Sequence, residues 1–90
     1  MHIRLAPGTT LTSVEGKDVL FSVKTGDSYG LNETAARMLR VGCEADLDDV
    51  VNQLAAEYGA ERKEIQDDFK ELVRELVQLK FVQVISGHGG

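Results

Sequence analysis

The residue types that most often carry covalent chemistry are scarce in this chain. It has one cysteine, Cys43, and two histidines, His2 and His88. A thiol nucleophile needs a base held beside it, and no histidine is near Cys43 in the sequence. Cys43 is therefore expected to be a small packing residue at a helix end. No ligand spacing recurs, so no metal site is expected. No cofactor is expected either, because Gly87-His88-Gly89-Gly90 lacks the strand-then-helix context of a phosphate loop. The remaining candidate chemistry is recognition by a backbone edge, apolar side chains and charge.

The stretch that carries it is Asp27-Ser28-Tyr29-Gly30-Leu31-Asn32-Glu33-Thr34-Ala35-Ala36-Arg37. It reads as a short strand running into a helix. Tyr29 and Leu31 share one face and Ser28 and Gly30 the other, by the period-two alternation of a strand. Asn32 suits the N-cap of the helix that follows. If this strand is the last of its sheet, its outer N–H and C=O groups are unpaired, and such an edge must be protected or used. Two uses of these residues stay open. Tyr29 and Leu31 are simply core beside a harmless short edge, or an extended peptide adds to the edge as a further strand.

The chain has 90 residues and a net charge of −5. That is one domain, burying about 60–65% of the surface its unfolded chain exposes. A thin core leaves more room for a surface groove than for a deep catalytic pocket. No apolar run reaches the roughly 20 residues that span a bilayer, and no secretory signal opens the chain. With a single cysteine, these features lead us to expect a cytoplasmic protein without a membrane partner. Glu44, Asp46, Asp48, Asp49 and Glu57 surround the second helix, a solvated and capping face. Arg62, Lys63, Lys70, Arg74 and Lys80 are interleaved with acids along the third. No basic stripe forms, which argues against a nucleic-acid partner.

Upstream of Asn32 the signals are strands and turns. Residues 1–8 are expected to be a flexible arm, 9–85 the domain and 86–90 a disordered tail. Thr9–Glu15 and Asp18–Lys24 read as strands, with hairpin turns at Glu15-Gly16-Lys17-Asp18 and Lys24-Thr25-Gly26-Asp27. Val19, Phe21 and Val23 are expected on the buried face, which leaves Leu20 as an apolar surplus on the wet one. Downstream come helices over about Glu33–Val41, Asp46–Tyr58 and Glu61–Lys80. Gly42 is expected just past the first, Asp46 to cap the second, and Phe81–Ile85 to form a closing strand. The third helix has a poorly capped entry at Ala60.

Ile65, Phe69, Leu72, Leu76 and Leu79 align as one stripe of that helix. Val73 and Val77 sit off it, rotated toward Lys70. The overhang of Phe69, Val73 and Val77, with Leu20, would floor an apolar valley beside the third strand. Taken alone, Val73 and Val77 read first as part of a wide buried face and only second as a peptide contact.

Gly26 to Leu39, Leu47 to Gly59, Glu64 to Leu72 and the Leu79-Lys80-Phe81-Val82 run together resemble the PqqD-like family over about residues 5–85. Lys80-Phe81 stands where the family commonly has Gly-Leu. The resemblance implies an α+β, winged helix-turn-helix-like fold: an N-terminal three-stranded antiparallel sheet followed by three helices. It implies a non-catalytic recognition element that binds the leader of a ribosomally made precursor peptide by strand addition. By position, Ser28, Tyr29, Gly30 and Leu31 would offer the edge. Phe69, Val73 and Val77 would receive leader side chains, and Lys70 and Arg74 would pair with leader carboxylates. The implied partners are a leader peptidase and cyclase of lasso-peptide synthesis, which the single-domain form resembles most, or a radical-SAM maturase as in the pyrroloquinoline-quinone pathway. The alternative is a winged-helix DNA-binding regulator.

Overall fold

The computed structural model describes residues 2–85; the expected tail lies outside the described residues. Strands β1 (His2–Leu5), β2 (Thr9–Val14), β3 (Lys17–Ser22) and β4 (Ser28–Leu31) precede helices α1 (Glu33–Gly42), α2 (Leu47–Tyr58) and α3 (Arg62–Gln78). Strand β5 (Val82–Ile85) ends the described chain. The expected meander is present as an antiparallel sheet of order β2-β3-β4, followed by the three expected helices.

The β2–β3 hairpin pairs Val14 with Lys17, leaving Glu15 and Gly16 as the loop, at φ 52° and 79°. Two positive φ angles match the right-handed twist of the strands. In the second hairpin Gly26 takes φ 78°, its N–H donates to the Ser22 carbonyl (2.8 Å), and the buried Ser22 hydroxyl accepts from the Thr25 N–H (3.4 Å).

Residues 2–5 correct one expectation. They are not a loose arm but strand β1, paired antiparallel with β5 from His2↔Ile85 to Leu5↔Val82, with Ile3 buried. The Phe81 carbonyl accepts from the Ala6 N–H at the end of this ribbon (2.9 Å). Four residues carry little strand signal alone, and their partner lies at the other end of the chain.

A second correction concerns β3. Its buried face carries Leu20 (0% exposed) and Ser22, whereas Phe21 and Val23 are 39% and 68% exposed. Helices cover only one side of the sheet, and residues directly opposite each other share a side. Leu20 lies opposite Leu11 and Tyr29, so it follows Tyr29 and Leu31 inward.

The helix ends divide similarly. Asn32 caps α1 as expected, its Oδ1 accepting from the Ala35 N–H (2.7 Å). Gly59 ends α2 in the left-handed conformation, φ 63°. Gly42, expected beyond α1, is its last residue, and a Cβ there would stand 2.7 Å from the Phe69 ring. Its glycine serves close helix approach. Asp46 sits at the N-cap of α2 but makes no capping bond; its Oδ1 lies 2.6 Å from His2 Nε2, against β1. Glu61, at the N-cap of α3, also makes no side-chain cap.

At the other end of α3, the Phe81 N–H reaches the Leu76 carbonyl (2.9 Å) and the Lys80 N–H the Val77 carbonyl (3.0 Å). This is a Schellman closure with Lys80, φ 68°, where glycine usually stands. The core lies between helices and sheet, built on Leu20, Leu39, Val50, Leu54, Phe69 and Leu76, each 1% exposed or less.

Candidate functional site

β4 is an edge strand: it pairs with β3 on one side only. The Ser22 N–H donates to the Asp27 carbonyl (3.0 Å), and the register pairs Leu20 with Tyr29 and Asp18 with Leu31. Bonded pairs recur every second residue in an antiparallel ladder. Tyr29 and Leu31 therefore spend their N–H and C=O groups on β3, while Ser28 and Gly30 aim theirs outward. Ser28 and Gly30 are exposed, and a Cβ on Gly30 would meet nothing within 4 Å. Close packing does not explain that glycine, and an arriving backbone has room there.

The sheet has a second edge, β2, where by the same alternation Leu11 and Ser13 face outward. What distinguishes β4 is its neighbour. The Tyr29 hydroxyl donates to Glu75 Oε1 on α3 (2.7 Å), and the Tyr29 ring lies 6.0 Å from that of Phe81, just after α3. The bond to Glu75, then desolvation and the Glu75 charge, raise the Tyr29 hydroxyl above its ordinary pKa.

The apolar side chains expected to meet a guest are distributed differently. Leu20, Phe69, Val73 and Leu31 are 0%, 1%, 5% and 8% exposed, so they are core. The apolar overhang of α3 is thus mostly filled by the protein itself, and the free part is Val77 at 38%. Val73 is buried because α3 packs on both α2 and β5, which widens its buried face. Lys70 and Arg74 are exposed and form no ion pair among the described residues.

Rotation about α3 separates these groups further. At 100° per residue, Arg74, Lys70 and Val77 lie roughly 100–160° around the axis from Glu75. The flank joined to β4 by Glu75 instead carries Leu72, half-buried, and Leu79, 44% exposed just past the helix. Sequence reasoning passed over Glu75 and placed Leu79 in the core. A polar residue at i+3 from one leucine and i−4 from the other was the available signal.

Cys43 is surface-exposed, and desolvation first, with the Glu44 charge, raises its thiol pKa against the lowering effect of a backbone hydrogen bond from Leu5. Among the described residues, no group of three or more His, Cys, Asp or Glu side chains converges as a metal site. No described helix is long and apolar enough to cross a membrane.

Three solved structures share this architecture. One, described as lasso peptide synthetase B1 complexed with the leader peptide, is 26% identical, with a TM-score of 0.85 over 93% of this chain and 100% of that one. TbiB1 in complex with the TbiA(beta) leader peptide is 19% identical, TM-score 0.79, over 97% and 99%. The PqqD truncation of Methylobacterium extorquens PqqCD, described as a stand-alone RiPP recognition element, is 22% identical, TM-score 0.74, over 91% and 88%. No curated protein matches the sequence. The profile described as coenzyme PQQ synthesis protein D matches residues 18–82, from β3 through all three helices to the start of β5. With a match of that extent on the fold just described, the chain belongs to the PqqD family.

Proposed function

We propose that this chain is a recognition element that binds the leader segment of a ribosomally synthesised precursor peptide by strand addition to β4. It then presents the precursor to a separate modifying enzyme or leader peptidase in the cytoplasm. The observation that carries this reading is the outward-facing backbone of Ser28 and Gly30 beside α3. Two structural relatives are themselves complexes with leader peptides.

The physical division of labour follows. Backbone pairing along Ser28–Leu31 sets register, because a one-residue slip turns every guest side chain to the other face. Ordering a flexible leader costs roughly 2–5 kcal/mol, so buried apolar side chains must supply part of the affinity. The exposed Leu79 and Val77, on opposite flanks of α3, are the available apolar contacts. Lys70 and Arg74 add positive charge on the Val77 flank. The role is non-catalytic in this reading, and the enzyme served belongs to lasso-peptide synthesis or a related pathway. A DNA-binding role draws no support from a chain of net charge −5.

Gly30→Pro tests it. Proline removes an N–H that β3 does not use and places its ring on the guest side of the edge. Ser13→Pro does the same on β2. The probe is a labelled peptide selected on the parent chain from a displayed random library, titrated against all three proteins after circular dichroism confirms their folds. Gly30→Pro is expected to lose affinity tenfold or more, the scale of about 1.4 kcal/mol, while Ser13→Pro matches the parent. Equal affinity for all three would sink the proposal.

A further inference from the structure

A groove of about 920 Å³ opens where the β3–β4 hairpin, the β1–β2 corner, the end of α3 and β5 meet. Its walls include Val77, Val84 and Ile85, which are 38%, 48% and 40% exposed. All three border the same opening, Val84 and Ile85 from opposite sides of β5 by strand alternation. Arg4, Lys24 and Lys80 also line it, and no Asp or Glu does among the described residues. In a chain with 15 acids against 10 bases, this is a local reversal of charge.

None of the three cations belongs to an ion pair among the described residues. The Arg4 Nε–H donates to Gln83 Oε1 across the β1–β5 ribbon (3.1 Å), which orients the guanidinium and leaves its terminal nitrogens open. Lys80 stands at the turn where α3 gives way to β5, which anchors its backbone at one end of the groove.

The groove continues from the edge already described. Ser22 lines it, and the Ser22 N–H bonds the carbonyl of Asp27, the residue before β4. A guest strand paired along Ser28 and Gly30 that runs on past Ser28 reaches the β3–β4 hairpin, whose Lys24 and Thr25 line the opening.

We infer that the groove takes the stretch of the same guest peptide that adjoins its strand-paired segment, and that this stretch combines aliphatic side chains with Asp or Glu. The inference rests on the strand-addition reading. Aliphatic groups cover Val77, Val84 and Ile85, while carboxylates meet Arg4, Lys24 and Lys80. Charge complementarity of this kind selects among partners and speeds encounter more than it adds raw affinity. It gives an acidic protein a means of rejecting basic peptides, which its overall charge would otherwise attract.

The probe is a displayed library of random peptides long enough to span β4 and the groove, selected on the parent chain. Recovered peptides are then measured against Gly30→Pro and against Lys24→Glu combined with Lys80→Glu. Peptides that need Gly30 are expected to be enriched in Asp or Glu beside aliphatic residues, on the side that passes Ser28. They are expected to lose about tenfold in affinity on charge reversal, as two partly exposed ion pairs become repulsive, and to weaken with added salt. Lys24→Glu alone, in an exposed turn, keeps the test intact if Lys80→Glu disturbs the helix end.

Peptides that need Gly30 yet bind the charge-reversed chain as tightly as the parent would overturn the groove assignment and leave strand addition standing. Peptides that need the lysines but tolerate Gly30→Pro would overturn the continuity of groove and edge. If no recovered peptide responds to Gly30→Pro, strand addition and the groove assignment fall together.

Discussion

The Tyr29 hydroxyl on β4 donates to Glu75 Oε1 on α3 at 2.7 Å, the one side-chain hydrogen bond between these two elements among the described residues. It links the strand whose outer edge is free to the helix beside it. A hydrogen bond to a charged acceptor in a partly exposed place contributes on the order of 1 kcal/mol. Tyr29→Phe and Glu75→Gln are each expected to cost up to about that much in denaturant unfolding, and a double-mutant cycle should return most of it as coupling. The pH dependence has a definite sign. The Tyr29 pKa is raised above the ordinary value of about 10. Its contribution is therefore complete at neutral pH and disappears only as pH climbs past 10, through the raised value. A Tyr29→Phe chain should lack this alkaline component.

Leu20 and Phe69 are structural. Leu20→Ala should cost about 2–5 kcal/mol and Phe69→Ala about 3–5 kcal/mol, the range for large core truncations. Thermal or denaturant melts would show this directly. If either variant melted like the parent, the residue would be free to meet a guest, contrary to its burial.

Gly42→Ala is expected to destabilise by roughly 1–3 kcal/mol. The added methyl would lie 2.7 Å from the Phe69 ring and 3.0 Å from Ile3 Cδ1, so helix and ring must move apart. Pairing it with Phe69→Leu, which vacates part of the ring's space, should recover some of the loss. Strictly additive losses would contradict the contact.

Lys80→Gly is expected to stabilise the chain by up to about 1 kcal/mol, because a side chain at φ 68° is disfavoured and glycine is not. The same change removes a groove cation, so it should weaken an acidic guest while raising the melting temperature. Opposite signs on one substitution would separate backbone cost from binding use.

Cys43 is expected to react slowly with iodoacetamide near neutral pH, since its raised pKa lowers the thiolate fraction. A synthetic peptide with a free cysteine is the reference. Cys43→Ala should leave leader affinity unchanged.

Much of this protein was legible in local sequence, and the errors share a cause. The β2–β3 turn, the Asn32 cap, the Gly59 terminus and the order of strands before helices depend on residues a few positions apart, whose backbone preferences act over that range. Leu20 was misassigned because the Val19, Phe21 and Val23 alternation outweighed a single leucine. Yet a two- or four-residue turn before β4 would put Leu20 opposite Leu31 or Tyr29, so cross-strand logic would have turned it inward. Nothing local could have paired His2–Leu5 with Val82–Ile85, or shown that Gly42 makes room for Phe69.

The sequence by itself determined the strands and helices from β2 through α3 and where β4 meets the helix that follows it; it missed β1 and left the edge position of β4 conditional. Only the tertiary structure decided which side of β3 is wet, which flank of α3 faces Tyr29, and that Arg4, Lys24 and Lys80 meet in one groove. The physical reason is range. Backbone propensities and caps act within a turn or two, whereas burial and charge clustering depend on contacts between distant segments, which exist only once the chain has folded.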